Sequence, residues 1–244
     1  MKQAPIKLLV TLMLLTVAVV IVLRWPVSTL ISTLASHGVQ VGKVDGTAWR
    51  GQLKQVSYNQ QVVDTVSYDM SLTNLLSGQL SAHIIAADSN GLYLTGQVAM
   101  TTLNSFKVSA LDAMVPVTVR MGQNQLLMTN KIASEELSFN QQGQCISGAA
   151  QVRSAFSSPI FGSLNLDQMV LEGAITCENG TMSLETSETI SGWEIMLQGF
   201  LTPKGLQGRL ELKNDQMTLT PDVENMLIRI GLQKQSSGWL AILN

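Results

Sequence analysis

Few residues of this 244-residue chain belong to the types that do chemistry. His37 and His83 are its two histidines, Cys145 and Cys177 its two cysteines, and Glu135-Glu136 its one adjacent acidic pair. Binding a metal takes three or four ligands, and neither histidine has a cysteine, a second histidine or a clear carboxylate partner close in sequence. His37 falls at the end of an expected helix, where an imidazole suits the free carbonyls. His83 falls in an expected strand, facing water. The Glu135-Glu136 pair reads as a solvated turn. The sequence holds no GxSxG, SxxK or HExxH motif and no phosphate-binding loop. Serine is abundant, so a triad assembled in space stays open. Active sites are nevertheless built from titratable groups, and only 13% of this chain is charged. The expectation is a protein that is not an enzyme and takes no cofactor and no metal.

The cysteines suit neither a metal spacing nor a redox CxxC pair. Two readings remain: one disulfide, the default in an oxidising compartment, or two buried thiols. Which compartment applies depends on the N-terminus. From Leu8 to Leu23 the run LLVTLMLLTVAVVIVL carries no charge, with Lys2 and Lys7 before it and Arg24-Trp25-Pro26 after it. At 1.5 Å per residue, residues 6 to 25 would cross about 30 Å, the thickness of a bilayer core. The excess positive charge precedes the run, which puts the N-terminus in the cytoplasm. A cleaved signal peptide is the rival reading, but the small residues its cleavage site needs are missing from Val-Leu-Arg-Trp-Pro. Residues 1–25 are therefore expected to be a cytoplasmic tip and a single transmembrane anchor, with the rest of the chain on the far side. Removing residues 1–24 takes three of the fifteen basic residues and no acid, leaving 12 basic against 17 acidic. That balance argues against nucleic acid as a partner, because phosphate binding needs a basic surface.

The elements that would position these residues are mainly strands. Residues 26–38 are expected to form a short membrane-proximal helix: Val27, Leu30, Ile31 and Leu34 share helical spacing, Pro26 suits its first turn, and Gly38 suits its stop. Residues 39–244 are expected to be one β-rich domain. Its strands include VQVGKV, LKQVSY, VVDTVSYDMSL, LSAHIIAA, VPVTVRM, WEIMLQGFL and LQGRLELK, all β-branched or apolar at period two. Asn179-Gly180 is a strong hairpin signal, and it explains the sequon Asn179-Gly180-Thr181 as a turn. One late helix is expected from Pro221 to Ile230, with Thr220 as its N-cap, before a last strand after Gly238. The fold class is thus mainly β: an elongated, twisted antiparallel sheet with a few short helices behind the transmembrane helix.

One spacing recurs in the strands: apolar, any, glycine, any, apolar. It occurs as Trp49-Gly51-Leu53, Leu94-Gly96-Val98, Leu171-Gly173-Ile175, Leu197-Gly199-Leu201 and Leu206-Gly208-Leu210. At period two the three residues share one face, apolar with a glycine notch. Strand glycines mark bulges, sharp twist or close backbone approach. An ordinary sandwich core would produce the same pattern. In this reading Trp49 is a packing residue on a strand, and either its ring or a neighbouring strand's side chain covers Gly51.

With these elements in place, Val44-Asp45-Gly46-Thr47-Ala48-Trp49-Arg50-Gly51, followed by Val66-Ser67-Tyr68-Asp69-Met70-Ser71-Leu72-Thr73-Asn74-Leu75-Leu76-Ser77-Gly78-Gln79-Leu80, resembles the protein N family of the type II secretion machinery of Gram-negative bacteria. The family pattern is V-x-G-T-x-W-x-G, then an aromatic-centred strand and L-L-x-G-x-L. Tyr68 stands where the family typically has tryptophan. The resemblance marks Gly46, Thr47, Trp49, Gly51, Tyr68, Leu75, Leu76 and Gly78 as structural positions. It implies a non-enzymatic accessory subunit of the bacterial inner membrane, single-pass and mostly periplasmic, that supports export of folded proteins across the outer membrane. Its partners would be other inner-membrane or periplasmic subunits of the complex. A second reading, lipid or hydrophobic-cargo handling along an apolar sheet as in AsmA-like proteins, also stays open. A continuous apolar groove would favour the second reading, and a closed core with one small apolar patch the first.

Overall fold

The computed structural model describes Val27, Ile31, Ala35, and residues 38–58, 61–102, 105–121, 124–157, 169–178, 180–202, 205–214, 219–236 and 238–243. The expected anchor, residues 1–25, lies outside them, as does His37. Among the described residues no helix is long and apolar enough to cross a membrane. Of the segment expected to lie near a membrane, residues 26–38, Ile31 and Ala35 are helical. Gly38, at φ +80°, donates its N–H to the Ala35 carbonyl at 3.1 Å, which is how a glycine stops a helix. The protein is mainly β and antiparallel. The chain forms two compact units, 1–88 and 89–244.

Unit 1 is a meander of β1 (Gln40–Gly46), β2 (Arg50–Tyr58), β3 (Gln61–Met70) and β4 (Ser81–Ala87), each antiparallel to the next. A left-handed Gln55, φ +53°, is passed over by both ladders of β2. Beyond it the strand no longer alternates simply, and Leu53 and Val56, three residues apart, face the same cavity. The third strand ends at Met70, two residues before the period-two pattern stops, because Ser71 caps helix α1 (Leu72–Leu76). The Ser71 hydroxyl accepts the Asn74 N–H at 3.3 Å.

Unit 2 contains β5 (Tyr93–Thr102), β6 (Ser105–Met121), β7 (Asn124–Asn140), β8 (Cys145–Ser157), β9 (Met169–Glu178), β10 (Thr181–Ile190), β11 (Trp193–Thr202) and β12 (Gly205–Lys213). Helix α2 (Pro221–Arg229), β13 (Gln233–Gln235) and β14 (Gly238–Leu243) follow. These strands neighbour one another in chain order as far as β12, which pairs with β14, while β13 lies outside β14. Leu243 of β14 also pairs with Met121 of β6, so the sheet from β6 round to β14 closes on itself at one rung. Inside lie Met128, Phe156, Met169, Leu171, Ile195, Leu197, Leu210 and Leu212, with Trp193 and Trp239, all buried. Leu227 of α2, with Ile230 and Leu232 just beyond it, completes this core. The sheet therefore buries its apolar face in its own interior. Thr220 sits extended before α2 and Pro221 opens it, although the threonine side chain makes no capping bond.

Two of the patterned glycines, Gly199 and Gly208, face each other across β11 and β12. A Cβ on Gly208 would lie 2.1 Å from the Gln198 carbonyl oxygen and 2.6 Å from the Gly199 Cα, so only glycine fits. Gly96 differs. Its surroundings are at ordinary contact distance, 3.5 Å, and it marks a bulge where the β5–β6 register shifts between Thr95 and Gln97. Level with it, Ala110 takes φ +50° and the β7–β8 register shifts between Ala133 and Glu136. This row of irregularities corrects the reading of Glu135-Glu136 as a turn. Both lie inside β7, and Glu136 accepts a bond from Lys107 Nζ on β6 at 2.8 Å.

Cys145 and Cys177 form a disulfide between the neighbouring strands β8 and β9, with Cα atoms 5.7 Å apart. Beside it, Gly180 of the β9–β10 hairpin donates its N–H to the Cys145 carbonyl at 3.1 Å. Closing a loop with a sequence separation of 32 restricts the unfolded chain by roughly 3.5–4 kcal/mol in the chain-entropy model. Replacing both cysteines by alanine should lower the urea midpoint of unit 2 by a corresponding amount. An unchanged midpoint with an unchanged slope would show that the bond contributes nothing.

Candidate functional site

The motif residues gather at one end of unit 1. Gly46 and Gly51 are the last pair of the β1–β2 ladder, and Thr47 to Arg50 make the turn between them. Gly46 is at φ +113°, and a Cβ there would lie 2.4 Å from the Arg50 carbonyl oxygen. Thr47 holds the turn with both ends. Its N–H donates to the Arg50 carbonyl at 2.9 Å, and its hydroxyl oxygen accepts the N–H groups of Trp49 and Arg50 at 3.4 and 3.3 Å.

Trp49 is therefore in a bend and not on a strand, so it does not share a strand face with Leu53 as the spacing suggests. Its ring is half-buried, and its carbonyl accepts the Met70 N–H at 2.6 Å, tying the turn to the end of β3. The residue that covers the Gly51 notch is Tyr68. It sits directly opposite on β3, and a Cβ on Gly51 would lie 2.6 Å from its hydroxyl oxygen. With that space open, the Tyr68 hydroxyl donates to the Thr47 carbonyl at 2.5 Å. Burial pushes the Tyr68 phenol above its ordinary pKa, so it stays protonated and keeps donating. Each element of the motif thus has a cause: Gly46 for the turn, Thr47 for its bonds, Gly51 for room, and the aromatic residue to clasp turn to strand. Outside, Arg50 Nε reaches Asp69 Oδ2 at 2.9 Å as an exposed cross-strand pair.

The second motif block starts where this clasp ends. After Met70, Ser71 donates its N–H to the Ser81 carbonyl at 2.9 Å, and Asn74 Nδ2 donates to Ser81 Oγ at 2.7 Å, fixing α1 against the start of β4. Leu75 and Leu76 lie in α1, and Gly78 follows at φ +81° in open space. Leu72, Leu75 and Leu80 are each more than a third exposed. Leu72 and Leu75 lie three apart in α1, as neighbours on the helix surface, and Leu80 follows just beyond it.

The apolar face of the meander borders a half-open cavity of about 380 Å³. Leu53 and Val56 of β2, Val66, Tyr68 and Met70 of β3, and Ala82 and Ile84 of β4 line it, with Val39. Val27 and Ile31, ahead of β1, form the remaining wall. The strand pattern alone did not reveal this cavity, because it depends on the irregularity at Gln55 and on a segment distant in sequence. His83 lies on β4 with its side chain exposed. Among the described residues no group of three or more metal-ligating side chains comes together.

Both motif blocks, and every strand but for the last residue of β14, fall within residues 37–242, the span matched by the family model for type II secretion system (T2SS), protein N. The chain belongs to the type II secretion system protein N family. Among curated proteins it is similar to the type II secretion system protein N of Vibrio cholerae serotype O1, at 27% identity over 192 residues, covering 73% of this chain and 75% of that one. No solved structure matches the chain. Membership makes it a component of the type II secretion machinery. Of the motif residues, Gly46, Gly51 and Tyr68 close the turn and strand ends of β1 to β3, while Gly78 follows α1.

Proposed function

We propose that this protein is a non-enzymatic accessory subunit of the type II secretion complex in the bacterial inner membrane. Residues 1–25 form its single anchor, with the N-terminus cytoplasmic, and both β-units lie in the periplasm, where they support export of folded proteins across the outer membrane. The observation that carries this reading is the self-filled core of unit 2 together with the exposed leucines at and just beyond α1 in unit 1. A closed core with a small apolar patch suits a subunit that docks onto other proteins. The charge-free run and its positive N-terminal flank support the topology.

A tagged full-length protein, solubilised from its own cells, should co-purify with other secretion subunits, and Leu72→Asp/Leu75→Asp should reduce that recovery several-fold without lowering abundance. A reporter fused at Asn244 should be active only if it works outside the cytoplasm. Recovery of no secretion subunit, or a reporter active only in the cytoplasm, would overturn the proposal. The second reading, hydrophobic-cargo handling along a continuous apolar sheet, has one observation in its favour, the cavity of unit 1. In unit 2 the buried apolar core is filled by its own side chains.

A further inference from the structure

We infer that the cavity of unit 1 is a binding site for one acyl chain of a membrane lipid. Its lining is carbon almost throughout, and the one hydroxyl on its wall, that of Tyr68, is committed to the Thr47 carbonyl. A polar ligand would lose its hydrogen bonds there, and water gains too few partners to fill an apolar cavity. The volume of about 380 Å³ is near the lower end of ligand pockets. It equals about a dozen methylene groups, each close to the roughly 30 Å³ share of a water molecule.

What selects a lipid from other apolar occupants is position in the chain. Val27, a wall residue, follows Leu23, the end of the charge-free run, by four residues, a reach of at most about 14 Å even when extended. If the run spans the bilayer, the cavity is held at the membrane surface, where acyl chains are the abundant apolar species. This step rests on the anchor reading above. An acyl chain is already shielded from water among its neighbours, so its own transfer is close to even, and the gain comes from covering the cavity's apolar wall, which would otherwise face water. One lipid held this way would fix unit 1 against the bilayer and would not conduct lipid anywhere, as the site ends within the unit.

The test uses the full chain reconstituted in phosphatidylethanolamine–phosphatidylglycerol vesicles containing a phospholipid with a diazirine at mid-chain. Flotation with the vesicles reports on the anchor, and mass spectrometry of labelled peptides reports on the site. The proposal expects label in β2, β3 and β4 as well as in residues 8–23. Ile84→Trp and, separately, Ala82→Phe should lower strand labelling at least fivefold, with labelling of 8–23 unchanged and the circular dichroism spectrum retained. A floated protein labelled only in 8–23, as when the chain's own residues fill the cavity, overturns the site. So does strand labelling that neither substitution reduces. Failure to float sinks the anchor reading instead, and the site is then decided by the same strand labelling with a photoactivatable fatty acid supplied in solution.

Discussion

Gly51→Val is expected to unfold unit 1 while unit 2 keeps its structure. A Cβ at position 51 would lie 2.6 Å from the Tyr68 hydroxyl oxygen, 2.7 Å from the Asp45 carbonyl oxygen and 2.9 Å from Tyr68 Cζ. The carbonyl belongs to the paired strand β1 and cannot swing away, and the ring can move only by giving up its bond to Thr47. Overpacking costs about 1–3 kcal/mol, and loss of the half-buried Tyr68–Thr47 hydrogen bond adds about 1 kcal/mol, so the total is about 2–4 kcal/mol. A four-stranded meander has little stability to lose. Amide hydrogen exchange is the measurement. Protection should vanish over 40–58 and 61–70 and persist over 193–213. Unchanged protection in β1 to β3 would show that the clasp between Gly51, Tyr68 and Thr47 does not hold the unit together.

Trp193→Ala should destabilise unit 2 by about 3–5 kcal/mol, the usual range for removing a fully buried aromatic residue. Trp193 is 1% exposed and opens β11, paired with Ile190 across Ser191-Gly192. Both turn residues have positive φ, +52° and +82°, as a two-residue hairpin of matching twist requires. The ring is thereby placed by a tight turn and surrounded by Leu and Ile side chains that cannot collapse far into the gap. Urea unfolding followed by circular dichroism would measure the loss. A cost under about 1 kcal/mol would mean that the interior is slack, as a cargo cavity would be, and would count against the packed-core reading.

The elements read most easily from the sequence were those set by local chemistry. Thr220-Pro221 announced α2, Asn179-Gly180 placed the β9–β10 turn, and Gly238 preceded the last strand. The disulfide was legible as one of two alternatives, and the strand neighbourhood of its cysteines decided it. What escaped depended on partners distant in the chain. Glu135-Glu136 looked like a turn because two adjacent acids suit water, yet a bulged strand can expose both while Lys107 answers one. Trp49 looked like a strand residue because Gly51 and Leu53 continue its period, but the bonds of Thr47 curl the chain before the ladder begins. The third strand was read through Leu72 since nothing apolar ended there; the Ser71 cap outweighed that periodicity. The boundary at Asp88 carries the same turn residues as any hairpin, so composition could not mark it as a division between units. The candidate site was half legible: the motif positions were marked by resemblance, while the cavity beside them needed tertiary placement.

The rung between Met121 and Leu243 also sets a timetable. Its residues are 243 − 121 = 122 positions apart, while nearly every other pairing in unit 2 joins strands adjacent in sequence. Synthesis proceeds from the N-terminus, so β5 to β12 can assemble rung by rung as a growing meander. The ring cannot shut until β14 is in place, and closing so long a loop is the slow, entropically costly step. Until then the stretch of β6 beyond its pairing with β5, residues 115–121, and the free side of β12 present bare edges, the conditions under which strands pair with the wrong neighbour. The vulnerable stage of folding therefore falls just before β14 joins, and a substitution that unseats Leu243 would be felt around the whole ring of unit 2.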